Sequence, residues 1–278
     1  MIYAVLIILG LCFGSFVNAL VWRLHQQDLP KKKRAASDAE LSIAKGRSMC
    51  THCKHTLAWY DLVPVLSWTL LMGRCRYCRK PIGLQYPLVE LLTAIIFVLS
   101  YAFWSYDLNS AAGLGMLILW LAATVGFVAL TVYDLRWMLL PNRIVFPLIG
   151  LGIFVSLLRA IQADSIAGSL LGALGGLAVA GGIFYVVFQV SNGTWIGGGD
   201  VKLGFAIGLF LGGPVLAFLM LFIASLLGLS VAMPGIVLKR SKLNAKLPFG
   251  PFLITATLLV MLVGQRIVDW YLGTVLYL

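Results

Sequence analysis

Two carboxylates in this sequence stand at the ends of long apolar runs, where acids are unusual. Asp134 closes one run in TVYDLRWMLLPN, and Asp200 follows three glycines and opens another run in TWIGGGDVKL. Two carboxyl groups held close together cannot both ionise cheaply, so such a pair shares a proton. One member can activate water as a base while the other protonates a departing amide nitrogen, as in aspartic proteolysis. The alternative is two structural acids at helix ends, since a helix N-terminus favours an acid in any case.

The three glycines before Asp200 form the most permissive backbone of the chain. Gly197, Gly198 and Gly199 lack a Cβ, so they can take conformations closed to other residues and let an extended peptide approach. A substrate that is itself a membrane helix must be unwound before its amide is attacked. We therefore expect this loop, with Lys202 just after it, to receive the substrate; close packing of the neighbouring helices is the alternative.

Four cysteines form two Cys-x-x-Cys pairs, CTHC and CRYC, with 21 residues between them. The four are Cys50, Cys53, Cys75 and Cys78. Two such pairs place four thiolates on two turns, which is the arrangement of a tetrahedral structural zinc site. Disulfides or a redox site are the alternative, and a reducing cytoplasm disfavours them. His52 and His55 are close enough to substitute as ligands, but four cysteines already complete the metal's coordination.

A second set of polar residues lies within the first two apolar runs. Gly14, Ser15 and Asn18 share much the same face of the first run, where small and polar residues allow close helix packing and interhelical hydrogen bonds. Glu90 lies one turn into the second run, and a carboxylate inside a membrane costs roughly 3 kcal/mol unless it is paired. We predict that these four residues support a site; simple packing is the alternative.

The elements that must position these residues are membrane helices. Of the 278 residues, 61% are hydrophobic and only 11% are charged, which excludes an ordinary soluble domain. The apolar runs are long enough for helices across a core of ~30 Å, and the alternating pattern of barrel strands is absent. The predicted spans are 1–22, 86–105, 113–133, 144–158, 166–190, 201–211, 214–238 and 249–271. The fold class is therefore an all-α polytopic membrane protein with about eight transmembrane helices.

The distribution of Lys and Arg predicts the orientation in the membrane. Of these 21 cations, 12 lie between the first and second spans, and seven more fall at the connections after the third, fifth and seventh spans. The seven are Arg136, Arg143, Lys202, Lys239, Arg240, Lys242 and Lys246. Only Arg159 and Arg266 remain for the opposite side. The side that is rich in Lys and Arg is predicted to be cytoplasmic, so both termini are expected to be periplasmic.

The predicted spans and the cation-rich segment between the first two of them divide the chain into three regions. They are the first helix at 1–22, a cytoplasmic zinc-binding domain at 23–85 and a membrane domain of seven helices at 86–278. The net charge of +11 reports this topology, so we predict no nucleic-acid partner. The basic run at 31–34 can contact anionic lipid or remain a solvated loop, and the polar, Lys-rich segment 28–49 has no assigned role.

Taken together, these motifs resemble the bacterial type IV prepilin peptidases, which are membrane aspartyl proteases with a Gly-x-Gly-Asp element. Gly197 to Asp200, followed by Lys202, match that element. Five further motifs agree in order along nearly the whole chain: FGSFVNALVWRL at 13–24, DLVPVLSW at 61–68, GRCRYC at 73–78, YPLVELLTA at 86–94 and PFGPFL at 248–253. The ordered set is far more specific than Gly-x-Gly-Asp alone.

The resemblance implies that Asp134 and Asp200 are the catalytic pair and that the enzyme cuts the leader peptide from prepilins or pseudopilins at the cytoplasmic face of the inner membrane. For members with the four cysteines it also implies methylation of the new N-terminal amine by S-adenosylmethionine. Two departures bear on substrate preference. Asn142 follows Pro141 where the family commonly has an acid, and Arg136 with Trp137 crowds the region after Asp134.

Two other classes of protein fit parts of the pattern. A proton-coupled transporter also uses paired intramembrane acids, but it predicts acids near the bilayer midplane and repeated halves, which this sequence lacks. A zinc-stabilised scaffold of a secretion system without catalysis needs only the cysteines. Cleavage of a prepilin by the purified protein separates the enzyme from both.

Overall fold

The computed structural model describes residues 1–237 and 247–275, and within them the chain is almost entirely helical, as predicted. The helices are α1 (Ile2–Asp28), α2 (Leu66–Leu70), α3 (Gln85–Ala102), α4 (Ala111–Trp137), α5 (Asn142–Gln162), α6 (Ile166–Leu177), α7 (Ile183–Val190), α8 (Gly198–Leu211), α9 (Pro214–Val237), α10 (Gly250–Leu259) and α11 (Gln265–Val275). Single π-helical turns, Ala178–Gly182 and Val260–Gly264, join α6 to α7 and α10 to α11.

Seven of the eight predicted spans are helices long and apolar enough to cross a membrane, counted over the described residues. The sixth predicted span is α8, which is also a helix but has 14 residues. At 1.5 Å per residue it is about 21 Å long, shorter than a membrane core of ~30 Å. Residue 238, where the predicted seventh span ends, and the cations Lys239, Arg240, Lys242 and Lys246 lie outside the described residues.

The chain divides into two compact units, Met1–Ala102 and Phe103–Leu278. The first unit contains α1, the cysteine segment and α3, so α3 groups with the first helix. The second unit contains α4 to α11. The boundaries predicted at residues 22 and 85 stay predictions.

In the first unit, α1 and α3 pack with their backbones close together. A Cβ at Gly14 would lie 2.6 Å from the Cα atom of Glu90, and a Cβ at Gly10 would overlap Ala94. Small residues at these positions let the two helices approach, as membrane helix pairs require. This close contact brings the polar groups of α1 against Glu90.

The Lys-rich segment after α1 is organised around Arg23, whose residue is only 6% exposed. Its guanidinium donates hydrogen bonds to the carbonyl oxygens of Ser42, Ile43 and Gly46, at 2.8 to 3.2 Å. Leu41, inside the same loop, is fully buried. A buried cation needs partners, so the loop carbonyls and Arg23 stabilise each other, and the segment closes over the end of α1.

In the second unit, α8 is the buried central helix. A Cβ at Gly204 would lie 2.5 Å from the carbonyl oxygen of Ala180, and one at Gly208 would lie 2.5 Å from that of Gly176. Glycine is therefore needed where α8 crosses α6 and the π-helical turn. These contacts fix α8 against its neighbours.

Candidate active site and cysteine cluster

Asp134 lies in the last turn of α4. The helix ends at Trp137 because Met138 takes a left-handed conformation, with φ 52°, and its N–H bonds to the carbonyl oxygen of Asp134 at 2.8 Å. The side chain of Asp134 is buried and accepts a hydrogen bond of 3.1 Å from the backbone N–H of Gly250, at the start of α10. Two elements far apart in the sequence therefore hold this carboxylate.

Asp200 lies in the first turn of α8. Gly197 is the N-cap in an extended conformation, and the N–H of Asp200 bonds to its carbonyl oxygen at 3.1 Å. An acid is stabilised at a helix N-terminus, where backbone N–H groups lack intrahelical partners. The carboxyls of Asp200 and Asp134 interact electrostatically, so the structure brings the two predicted acids together. Their catalytic role stays a prediction at this point.

The glycines before Asp200 take ordinary backbone conformations in this structure. Gly197 is extended, Gly198 and Gly199 begin α8, and none of the three has a positive φ. A Cβ at Gly199 would lie 3.0 Å from the Cβ of Leu140, so this glycine makes a close packing contact. The packing alternative thus has a specific neighbour, Leu140, in the connection between α4 and α5. The predicted role in receiving substrate stays a prediction.

Lys202 contacts the start of α5. Its ammonium donates a hydrogen bond of 3.0 Å to Oδ1 of Asn142 and lies 5.6 Å from the centroid of the Phe146 ring. Asn142, where the resemblance leads us to expect an acid, therefore contacts Lys202, the cation two residues after Asp200. In this chain the amide of Asn142 binds Lys202 without neutralising its charge.

The four predicted supporting residues lie together in the first unit. The Asn18 amide donates to the carbonyl oxygens of Gly14, at 3.3 Å, and Tyr86, at 3.2 Å. The Ser15 hydroxyl faces the buried carboxylate of Glu90. These bonds satisfy polar groups inside the α1–α3 pair, so the structure accounts for the four residues as a polar packing cluster. Their support of a site stays a prediction.

Glu90 also anchors a strained turn. Its carboxylate accepts a hydrogen bond of 2.7 Å from the N–H of Val65, which has φ 59° and ψ −48°. The N–H of Leu66 bonds to the carbonyl oxygen of Pro64, which makes this a γ-turn with a positive φ. A β-branched residue at positive φ is strained, and such strain persists only where surrounding contacts enforce it. Glu90 supplies one such contact to the DLVPVLSW motif.

The four cysteines form one cluster. Their Sγ atoms all lie within 4.8 Å of one another, and Cys50 and Cys78 are 3.9 Å apart. Tetrahedral zinc with Zn–S bonds of ~2.3 Å needs sulfurs about 3.8 Å apart, so this donor set fits the metal. Among the described residues that could hold a metal, no histidine joins the cluster.

The two cysteine turns have the same backbone design. The N–H of Cys50 bonds to the carbonyl oxygen of His55, and that of Cys75 bonds to Lys80, at 3.0 and 2.9 Å. The residue after each second cysteine, Lys54 or Arg79, has φ 59°. The left-handed residue turns the chain back after each pair, so both turns aim two sulfurs at one point.

Side chains brace the two turns against each other. The rings of His55, beside the first turn, and Tyr77, in the second, lie 3.7 Å apart between centroids. Asp61 accepts hydrogen bonds from Arg76, at 2.7 Å, and Tyr77, at 3.1 Å. Desolvation opposes ionisation of Asp61, but these bonds prevail and hold the pKa of its carboxyl below the usual value. Asp61 thus stays charged at neutral pH and links the DLVPVLSW motif to the second turn.

Sequence reasoning assigned no role to Gly250, Leu140 or Ser156. In the structure Gly250 binds Asp134, Leu140 packs against Gly199, and Ser156 binds the carbonyl oxygen of Leu209 in α8. Gly250 lies in PFGPFL, so the motif itself was visible. Its hydrogen bond to Asp134 spans 116 residues of sequence, and no local pattern encodes such a contact. Leu140 lies in the connection between two predicted spans and Ser156 lies inside one, and neither residue type carries a signal there.

Known proteins match both units of the chain. Residues 8–104 match the family model for the bacterial peptidase A24 N-terminal domain, and residues 121–233 match that for the type IV leader peptidase family. A protein of Aeromonas hydrophila is 32% identical over 97% of this chain and 93% of its own length. One of Aeromonas salmonicida (strain A449) is 31% identical over 99% and 95%, and one of Pseudomonas aeruginosa is 30% identical over 96% and 92%. All three are named prepilin leader peptidase/N-methyltransferase. No solved structure shows significant similarity to the chain.

Proposed function

Since this chain belongs to the type IV leader peptidase family, we propose that Asp134 and Asp200 are the catalytic pair with which it cuts the leader peptide from prepilins or pseudopilins. The observation that carries this proposal is that the two carboxyls, each at one end of a different helix, are close enough to interact electrostatically. The Gly250 N–H donates a hydrogen bond to one of them, Asp134. Neither a transporter nor a scaffold is favoured, because the relatives that match nearly the full chain are named as peptidases.

The pair performs the reaction by sharing one proton. The ionised carboxyl takes a proton from a water molecule, whose oxygen bonds to the carbon of the scissile amide. The protonated carboxyl gives its proton to the departing nitrogen as the C–N bond breaks. The pair thus ends with one proton, as it began. The Gly250 N–H stabilises negative charge on Asp134, so it favours the arrangement in which Asp134 is the base and Asp200 the acid.

The loop before Asp200 is the proposed place of substrate entry. Gly197 is exposed and extended, and Trp195 beside it is 75% exposed. Exposed backbone next to a carboxylate leaves polar groups that an unwound peptide segment can bind. Lys202, two residues after Asp200, adds a positive charge beside this loop, and its ammonium is held by the hydrogen bond to Asn142.

Zinc is the proposed metal of the four-cysteine cluster, where Cys50, Cys53, Cys75 and Cys78 would hold it as thiolates. In the cluster, a hydrogen bond from the backbone of His55 lowers the pKa of the Cys53 thiol, but desolvation and the neighbouring thiols raise it to about 11. Metal binding therefore releases protons. The ion would stabilise the fold of the segment between α1 and α3, and it takes no part in proteolysis.

The second proposed activity is methylation of the new N-terminal amine. The name shared by the relatives covers both activities, and S-adenosylmethionine would supply the methyl group. We assign this activity to the first unit, because the cysteine cluster that accompanies it in the family lies there.

The chain is a multi-pass protein of the inner membrane, as its seven apolar helices and its family indicate. The proposed orientation places the cation-rich segment between α1 and α3 in the cytoplasm and both termini in the periplasm. Membrane lipids then surround the exposed apolar faces, and the basic charge serves topology rather than nucleic-acid binding.

Mass spectrometry of a prepilin incubated with the purified protein tests both activities at once. Without S-adenosylmethionine we expect the mass of the mature chain, and with it we expect one additional methyl group. A prepilin that keeps its full mass under conditions where the protein is folded would overturn the peptidase proposal. Cleavage without methylation would overturn only the second activity.

A further inference from the structure

The buried end of α8 poses a problem that the active site does not solve. Asp200 lies in the first turn of α8, and the helix has only 14 residues and ends at Leu211. The last carbonyl groups of a helix have no intrahelical donors, and an unsatisfied carbonyl inside a membrane costs several kcal/mol. A helix about 21 Å long cannot place both ends at the membrane surfaces. Its final carbonyls therefore need partners from the protein.

Those partners come from α5. The hydroxyl of Ser156 donates to the carbonyl oxygen of Leu209 at 3.1 Å, and Nη1 of Arg159 donates to that of Phe210 at 2.6 Å. Ser156 is 6% exposed, so its bond lies in the protein interior. The cation also meets the negative end of the helix dipole. The turn is completed by Gly212, whose φ of 69° is the left-handed conformation of a helix end.

The same helix α5 also holds the other end of α8. Asn142 at its start binds Lys202, two residues after Asp200. Close to the end that Ser156 and Arg159 hold, a Cβ at Gly152 would lie 3.0 Å from the Cβ of Leu209, so the two helices are in close contact there. Contacts at both ends resist sliding of α8 along its axis. Phe210 and Asp200 are ten residues apart on α8, so a movement of the helix along its axis at Phe210 also displaces Asp200.

We infer that Ser156 and Arg159 are positioning residues for proteolysis: by binding the carbonyl groups at the end of α8, they set the depth of Asp200 relative to Asp134. The inference rests on the proposed role of the two acids. Neither residue touches the reacting atoms, which lie at the opposite end of α8. Their effect on the reaction passes through the helix, and a misplacement of about 1 Å in an active site can cost ~10²-fold in rate.

The test measures prepilin cleavage by purified Arg159→Gln, Arg159→Lys and Ser156→Ala proteins. Arg159→Gln is expected to lower kcat by roughly 10-fold or more with KM nearly unchanged, because substrate binding is not altered. Arg159→Lys is expected to restore part of the rate, since an ammonium can still donate to Phe210. Ser156→Ala is the milder variant and should fall between wild type and Arg159→Gln. In the impaired variants the two acids should interact more weakly. Because that interaction separates the two apparent pKa values of the pair, the bell-shaped dependence of kcat on pH should become narrower.

Arg266→Gln is the matched control. Arg266 is the other cation assigned to the same side of the membrane, and it lies over the Phe103 ring, at 5.4 Å from its centroid. The kcat of the Arg266→Gln protein should equal that of wild type. Wild-type kcat in Arg159→Gln and Ser156→Ala, or activity that falls only in proportion to the folded fraction, would overturn the inference. If Asp200→Asn is also fully active, the proposed pair fails; if it is inactive while Arg159→Gln is normal, only this inference fails.

Discussion

The backbone N–H that binds Asp134 belongs to a residue with no space for a side chain, Gly250. The Gly250 N–H lies 3.1 Å from Oδ2 of Asp134, and a Cβ on Gly250 would lie 2.6 Å from that same oxygen. Only glycine allows both the hydrogen bond and the close approach. The contact therefore determines where one of the two carboxylates points.

Gly250→Ala is expected to displace the Asp134 carboxylate and to lower the rate of prepilin cleavage by ~10²-fold. The melting temperature should change little, because Gly250 begins α10 and alanine favours a helix. Cleavage kinetics and thermal unfolding of the detergent-solubilised protein measure the two effects. Gly115→Ala is the control, since Gly115 lies in the same helix as Asp134 and a Cβ there would meet nothing within 4 Å. Wild-type turnover in Gly250→Ala would contradict this account of Asp134.

The pairing of the two acids was predictable at the residue scale because both stand at the cation-rich ends of apolar runs, which topology places on one side. The contacts that orient them were not. Gly250 and Leu140 reach the site only through the packing of distant helices, and the Glu90–Val65 bond joins a membrane helix to a strained turn in a loop. Tertiary packing decides such contacts, and residue type alone does not reveal them.

The cysteine segment is the element whose fold we propose to depend on a bound metal ion. Its two turns share a backbone design, but few apolar side chains are buried there, so the four thiols are its main point of convergence. A small domain of this kind gains its folding free energy from metal binding. The sequence spacing predicted the four sulfurs, whereas the bracing by His55, Tyr77 and Asp61 required the fold.

Purified protein is expected to contain one zinc ion per chain, and Cys53→Ser is expected to lower that content and loosen the segment. Twelve Lys and Arg residues lie between the first two predicted spans, so limited trypsin digestion should be faster in the variant. Methylation should fall more than cleavage, because both acids lie in the other unit. Cys12→Ser is the control, since Cys12 is exposed on α1 outside the cluster. Elemental analysis that finds no zinc in wild type prepared without chelator would refute the metal assignment.

At the scale of the whole molecule, the sequence indicated a helical membrane protein because composition and run length leave few other solutions. Even the shortness of the sixth span was visible, because the predicted span covers only 11 residues, 201–211. Its structural consequence was not, because the need of α8 for Ser156 and Arg159 depends on which helix lies beside its end. The left-handed residues that shape the cysteine turns, Lys54 and Arg79, also carry no residue-type signal.

The orientation of the chain is testable in cells. Trypsin is expected to cut the segment between α1 and α3 in inverted membrane vesicles and to leave it intact in spheroplasts, because its cations favour the cytoplasm. Epitope tags at the two termini should be reached by antibody in spheroplasts. Protection of both tags in spheroplasts, with cleavage of the segment there, would reverse the proposed topology.

The central claim is that Asp134 and Asp200 together cut the prepilin leader, and single carboxyl-to-amide changes test it most directly. Mass spectrometry of a prepilin incubated with Asp134→Asn or Asp200→Asn should show only the uncut mass, because each change removes half of a proton-sharing pair while preserving side-chain shape. Asp164→Asn, at an exposed acid between α5 and α6, should cleave like wild type. The two inactive variants should keep the wild-type melting temperature. Full cleavage by either Asp134→Asn or Asp200→Asn would contradict the account.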